Sequence, residues 1–150
     1  MLKFNGGKNG VLNALNEKGF IVCSTMGWSM NPFLHQLTEN VVIEKPQGKL
    51  EKYDVGLYVR KVDGALILHR VSRVKPNGYY FVGDNHIRWE KVEFDQVVGK
   101  MKGYYKGEKY VDVNSFSFKL KSRLWCFLPF KLIGVFFVRF TNKIKRIIKK

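Results

Sequence analysis

The sequence contains few cysteines and no recognisable export signal, and each of these features excludes a class of protein. The chain has two cysteines, Cys23 and Cys126, which lie about a hundred positions apart with no Cys-x-x-Cys pair. This spacing excludes a disulfide scaffold and a cysteine zinc site. The N-terminus, Met-Leu-Lys-Phe-Asn-Gly-Gly, builds no apolar stretch, so no cleavable signal peptide is predicted. Reduced thiols without an export signal indicate the cytoplasm or the cytoplasmic face of a membrane.

Acidic residues are also scarce, and their distribution is uneven. Twelve Asp and Glu face 27 Lys and Arg, which gives a formal charge of +15. No acidic residue follows Asp112, whereas the last 38 positions carry ten Lys or Arg. Residues 1–112 hold 17 basic and 12 acidic side chains, a net charge of only +5. The excess charge therefore belongs to a tail and not to the domain before it.

Length and hydrophobic pattern predict one mainly β domain. The chain of 150 residues has room for one domain, and its 45% apolar content excludes wholesale disorder. Residues 8–18 place Val11, Leu12 and Leu15 on one face of a short helix that Gly19 ends. From Phe20 onward, β-branched and aromatic runs alternate with turn sequences: FIVCST, VVIE, VGLYVR, ALILHRVSRV, GYYFVGD and QVVGKMKGYY. We expect an antiparallel sheet, barrel or sandwich, with an N-terminal helical segment (1–19), a β domain (20–113) and a basic, apolar tail (114–150).

The tail predicts an amphipathic helix that lies in a membrane interface. Residues 124–140, LWCFLPFKLIGVFFVRF, are mostly large and apolar but are interrupted by Pro129 and Lys131. A spanning helix wants about 20 apolar residues, so a span is the less favoured reading. An anionic membrane surface bound through residues 123–150 fits better. The alternative is a terminal helix packed on the β domain. Nucleic acid is disfavoured because apolar residues separate the charges and no nucleic-acid fold motif is present.

Three residues are candidates for chemistry. Ser29 lies in a Gly-Trp-Ser-Met turn directly after a predicted strand, where an exposed hydroxyl on a rigid bend with backbone N–H groups nearby suits a nucleophile. His69 lies in ALILHRVSRV on the face of Ala65, Ile67 and Val71, which the alternation marks as the buried side. Histidine suits a general base near neutrality, although a histidine on an apolar face is often only a hydrogen-bonded core residue.

Asp84, in GYYFVGDNH, supplies a carboxylate that could orient the imidazole of His69 and complete a Ser-His-Asp arrangement. The alternative is an ordinary Asx turn. A metal site built from His35, His69, Asp84 and His86 is disfavoured because no helical ligand pair exists. The sequence therefore predicts no metal and no cofactor.

The segments SMNPFL, LHRV and GDN, in this order around strands, resemble the signal peptidase I and LexA-like serine peptidases. The resemblance covers residues 20 to 103 or so. It implies Ser29 as nucleophile, His69 as base and Asp84 as acidic partner, with histidine as base as in the endoplasmic-reticulum, archaeal and sporulation-type branch. It also implies a coiled antiparallel β fold and an extended peptide or precursor protein as substrate, bound as an added strand.

The chain departs from the family's pattern at two points that concern the site. Gly27 stands where many members have a small hydroxyl residue of the oxyanion hole, so the hole would rest on backbone N–H groups, including that of Ser29. The second aspartate of the endoplasmic-reticulum branch is missing, and Glu90 nearby is not a motif match. The resulting hypothesis is a serine endopeptidase, with an inactive or self-processing binding module as the alternative.

Overall fold

A computed structural model describes residues 7–127, the backbone of residues 2–3, and residues 132, 133, 135, 136 and 140. Within these residues the fold is mainly antiparallel β with two helices. The strands are β1 (Leu2–Lys3), β2 (Phe20–Thr25), β3 (Glu39–Glu44), β4 (Val55–Val59), β5 (Leu66–Lys75), β6 (Gly78–Val82), β7 (Glu90–Val92), β8 (Val97–Lys106) and β9 (Lys109–Asp112). The helices are α1 (Gly7–Lys18) and α2 (Phe116–Cys126), and a 3₁₀ turn covers Phe94–Gln96.

The strands form one open sheet in the order β1-β2-β3-β8-β4-β5-β6-β7, with β9 paired to β8 outside this path. Every strand pair is antiparallel. Its two ends, β1 and β7, are not paired with each other among the described residues, so the sheet is not a closed barrel. Strand β5, which carries His69, lies between β4 and β6, where both of its edges are paired.

Local sequence explains most of these elements. The helix predicted for residues 8–18 is confirmed as α1, with Val11 and Leu15 buried and Gly19 in a left-handed conformation (φ 77°) at its end. The six predicted β runs correspond to β2, β3, β4, β5, β6 and β8. Strands β1, β7 and β9 have two to four residues, too few to show an alternating pattern.

Strand β5 is buried on both faces, which differs from the prediction of one buried side. Leu66 and Leu68 belong to a core that also contains residues of α1, α2 and the segment after Ser29. Ile67 and Val71 belong to a second core, on the face of His69, with residues of β4, β6 and β7. The prediction was wrong about the first face because the helices that cover it come from opposite ends of the chain.

The second helix begins at Phe116, before the change in composition that the sequence shows at Arg123. Ser115 caps it by accepting a hydrogen bond from the Phe118 N–H. Phe118 and Ser122 are buried against the domain. Much of the predicted membrane-binding stretch, residues 123–150, lies outside the described residues. Among the residues that are described, no helix is long and apolar enough to cross a membrane.

Candidate functional site

The three candidate residues come from three separate elements. Ser29 lies in the turn after β2, His69 lies in the middle of β5, and Asp84 lies in the turn after β6. Ser29 and His69 are both partly exposed, whereas Asp84 is fully buried. The backbone carbonyl of Ser29 accepts a hydrogen bond from the Asn85 N–H (2.8 Å). The turn after β6 therefore holds the segment that carries Ser29.

Gly83 is the point where the Ser29 segment and His69 meet. A Cβ on Gly83 would lie 2.7 Å from the Ser29 carbonyl oxygen and 3.1 Å from Nε2 of His69. It would also lie 3.1 Å from Nδ1 of His86. These distances show that the Ser29 backbone and the Nε2 edge of His69 approach the same small space. Only glycine fits there without displacing a backbone atom.

Tyr58 and Glu90 lie on the other side of the His69 ring. The Tyr58 hydroxyl donates to Oε2 of Glu90 (2.6 Å) and is 3.3 Å from Nδ1 of His69. Burial, followed by the bond to the Glu90 carboxylate, raises the pKa of Tyr58 well above its ordinary value. The phenol is therefore neutral, and its one proton is directed at Glu90.

This hydrogen bonding favours one tautomer of His69. Because the Tyr58 proton goes to Glu90, the Tyr58 oxygen is an acceptor toward the imidazole. The imidazole proton then belongs on Nδ1, which leaves the lone pair of Nε2 on the side of Gly83 and the Ser29 segment. A histidine base needs this arrangement.

Asp84 pairs with Arg70. The carboxylate accepts two hydrogen bonds from the guanidinium, from Nε and from Nη2, each at 2.8 Å, and both side chains are buried. Burial alone would lower the pKa of Arg70, but the charge and hydrogen bonds of Asp84 raise it above its ordinary value. The sequence predicted that Asp84 orients His69. In the structure both Asp84 oxygens bind Arg70, and the Nδ1 contact of His69 is with Tyr58.

The Arg70–Asp84 pair is itself held on several sides. Nη1 of Arg70 donates to the Tyr53 carbonyl (2.9 Å), and the guanidinium lies 5.0 Å from the Phe33 ring centre. The backbone carbonyl of Asp84 accepts from Nε1 of Trp125 in α2 (3.0 Å). The turn that positions Ser29 is thus fixed by β5, by the segment after Ser29 and by α2.

Backbone N–H groups near Ser29 differ in whether they have a hydrogen-bond partner. The Gly27 N–H donates to Oε1 of Gln36 (3.1 Å), and Gly27 has φ 90°, a left-handed conformation. Across the described part of the chain, the Ser29 N–H has no hydrogen-bond partner. The buried amide oxygens of Asn31 and Asn85, in the two segments that meet at Ser29, are also unpaired in that part. Buried polar groups are nearly always paired in proteins, so these atoms suit a polar ligand.

The histidines do not form a metal site among the described residues, where no cluster of three potential ligands occurs. His86 packs edge-on against His69, with ring centres 5.8 Å apart. His35 pairs instead with the buried Glu39, 3.3 Å away. Both cysteines are without a disulfide bond, and burial raises the pKa of Cys23 to about 12.

A cavity of about 640 Å³ lies beside the Ser29 segment. Pro32 and Phe33 line it, together with Tyr104, Trp125 and other side chains, but Ser29 and His69 do not. The cavity is therefore not the place where the Ser29 segment and His69 meet. It lies next to that place, because Pro32 and Phe33, which line it, follow Ser29 closely in the chain.

Comparisons of the chain with protein-family models, curated proteins and solved structures found no match. Sequence reasoning named Ser29, His69 and Asp84, gave no role to Arg70 or Tyr58, and set Glu90 aside because it matches no motif. Arg70 follows His69 directly, but nothing in the sequence shows where its side chain binds. Tyr58 and Glu90 are 32 positions apart and come together only in the folded sheet.

Proposed function

We propose that the protein is a serine endopeptidase of the signal peptidase and LexA-like type, with Ser29 as nucleophile and His69 as general base. The observation that carries the proposal is the meeting of the Ser29 segment with Nε2 of His69 at Gly83. The tautomer set by Tyr58 supports it, because it leaves Nε2 as the basic atom. The motif resemblance adds the identity of the reaction.

The mechanism is acyl transfer. Nε2 of His69 takes the proton from the Ser29 hydroxyl as its oxygen attacks the peptide carbonyl carbon. The C–N bond breaks, and the protonated His69 gives its proton to the leaving amine. Water then loses a proton to Nε2 of His69 and attacks the acyl carbon. The ester C–O bond breaks, and His69 returns that proton to the Ser29 oxygen, which restores the enzyme and releases the acid product. The Ser29 N–H, which has no partner among the described residues, is a donor for the developing oxyanion.

Asp84 acts in this proposal as a positioning residue. Its carboxylate neutralises Arg70, and the same turn holds Ser29 through the Asn85 N–H. Tyr58 and Glu90 take the place that the family gives to an acidic partner of the base, since they hold Nδ1 of His69. The triad carboxylate is thus replaced by a phenol that a carboxylate orients.

The substrate in this proposal is an extended peptide or precursor protein added to a sheet edge. The edge of β2 that leads to Ser29 accepts a strand, because β1 pairs there, with Leu2 opposite Thr25 and Lys3 opposite Ser24. Strand β1 also contacts β5, which carries His69. Because β1 occupies this edge at Ser24 and Thr25, a substrate strand would take the place of β1, and on that path it would pass both catalytic side chains.

The test compares wild type with Ser29→Ala and His69→Ala on a peptide library rich in small residues, with detergent present and products read by mass spectrometry. The matched control is Ser72→Ala, which removes a partly exposed serine hydroxyl at a different place, in β5. We expect cleavage by wild type and Ser72→Ala only. Activity should fall as pH drops through roughly 6 to 7, because protonated imidazole cannot accept the serine proton. Equal cleavage by Ser29→Ala would overturn the assignment.

Self-processing is the second candidate, and the position of β1 favours it. Strand β1 lies on the edge beside the Ser29 turn and against β5. Intact-mass measurement of purified wild type and Ser29→Ala separates this function from cleavage of other substrates. A fragment present in wild type and missing from Ser29→Ala supports it, and two intact chains exclude it.

A further inference from the structure

Helix α2 exposes a stripe of large apolar side chains. Phe116, Leu120, Leu124 and Phe127 are 82%, 46%, 55% and 61% exposed. Their spacing of three or four residues places them on one side of the helix. The opposite side, with Phe118 and Ser122, is buried against the domain. An apolar stripe of this size turned toward solvent on a packed helix marks an interaction surface.

Basic side chains flank the stripe. Lys119, Lys121 and Arg123 are all exposed, and helical spacing places them on both sides of the apolar row. No acidic residue follows Asp112 in the sequence, so nothing beyond that position offsets their charge. The exposed face of α2 itself therefore combines apolar bulk with charge of one sign, whereas Glu51 and Asp54 of the domain share a groove with Lys119 and Arg123.

We propose that this face of α2 docks the domain on an anionic lipid bilayer, with the helix lying in the plane of the interface. The apolar row would enter the boundary between headgroups and acyl chains, and the flanking cations would contact anionic headgroups. A nucleic-acid backbone would use the charge and leave the apolar row in water. An acidic protein partner would not require the cations on both sides of the row.

The buried side of α2 connects this surface to the candidate active site. The ring of Phe118 packs on the ring of Phe33, with ring centres 5.6 Å apart. Phe33 lies four residues after Ser29 in the sequence. Trp125 donates to the backbone carbonyl of Asp84. Docking through α2 would hold the Ser29 turn at a fixed orientation to the bilayer. This consequence rests on the proposed function, whereas the docking itself does not.

The test is co-sedimentation of the full chain with vesicles of phosphatidylcholine alone and with about a third phosphatidylglycerol. The variant Leu120→Ser/Leu124→Ser removes the centre of the apolar row. The matched control, Val62→Ser/Val74→Ser, removes two exposed valines (92% and 42%) from another part of the surface. All four side chains are exposed, so circular dichroism should show an unchanged fold.

We expect binding to the anionic vesicles and a partition about a hundredfold weaker for Leu120→Ser/Leu124→Ser, because each of the two leucines removed from the interface weakens partition about tenfold. The valine control should bind like wild type. Substituting Lys119, Lys121 and Arg123 by glutamine should remove the preference for anionic vesicles. Unchanged binding of the leucine variant overturns the proposal, as does wild type that binds duplex DNA but no vesicles at 0.1 M salt. Neither readout depends on peptidase activity.

Discussion

Substituting Asp84 by asparagine separates two roles for this carboxylate. If Asp84 were the direct partner of His69, the substitution would lower the rate of cleavage and leave the free energy of unfolding nearly unchanged. If Asp84 is the partner of Arg70, the substitution lowers the free energy of unfolding first. The structure favours the second role, since Arg70 and Asp84 are 1% and 0% exposed and are joined by two hydrogen bonds of 2.8 Å.

The expected magnitude follows from burial. Removing one member of a buried ion pair leaves the other charge unpaired and costs about 3–5 kcal/mol of the free energy of unfolding. Domains of this size have a total of about 5–15 kcal/mol, so Asp84→Asn should take a large share of it. Arg70→Met should cost a similar amount, because it leaves the Asp84 carboxylate buried without its partner. Arg70→Met/Asp84→Leu should cost less than the sum, because no buried charge remains.

The assay is urea unfolding followed by circular dichroism, with cleavage rates measured on the folded protein at low temperature. We expect the single variants to shift the midpoint strongly and the double variant to recover part of the loss. A catalytic triad carboxylate replaced by its amide instead lowers kcat by about 10⁴-fold. An Asp84→Asn protein within about 1 kcal/mol of wild type stability, with that loss of rate, would refute the positioning role.

Two further outcomes test the site, and a third tests the core. Tyr58→Phe should lower kcat/KM by about 10- to 100-fold with little change in KM, because Nδ1 of His69 loses its acceptor; an unchanged pH–rate profile and rate would contradict this. Gly83→Ala should lower the rate about 100-fold by displacing the Ser29 carbonyl, whereas Gly48→Ala, with open space around it, should not. Above pH 9, Cys23 ionises in the unfolded chain but stays protonated in the folded one up to about 12. Stability should therefore fall there by about 1.4 kcal/mol per pH unit more in wild type than in Cys23→Ala, as urea midpoints would show.

The sequence alone predicted the fold class, because its signals are local. Alternating runs defined six strands, and Val11, Leu15 and Gly19 defined α1. The choice between an open sheet and a closed barrel depended on whether β1 and β7 pair. Both strands are too short to show a pattern, so the sequence left this choice open.

The candidate site divides in the same way. Ser29 and His69 were chosen from their residue types and local setting, and the fold brings the Ser29 backbone and the His69 ring to Gly83. Which groups form an ion pair depends on which strands are neighbours in the folded sheet. Asp84 meets Arg70 across β5 and β6, 14 positions apart.

What the sequence by itself determined is the chemistry available: one hydroxyl on a turn, one imidazole on a strand and a basic, apolar C-terminal stretch. What only the tertiary structure decided is which atoms face one another. Tyr58 and Glu90 hold His69 because β4 and β7 bring these two side chains to the face of the sheet that carries His69. Hydrogen bonds and ion pairs act over about 3 Å, and the register of distant strands, which no local pattern encodes, sets such distances.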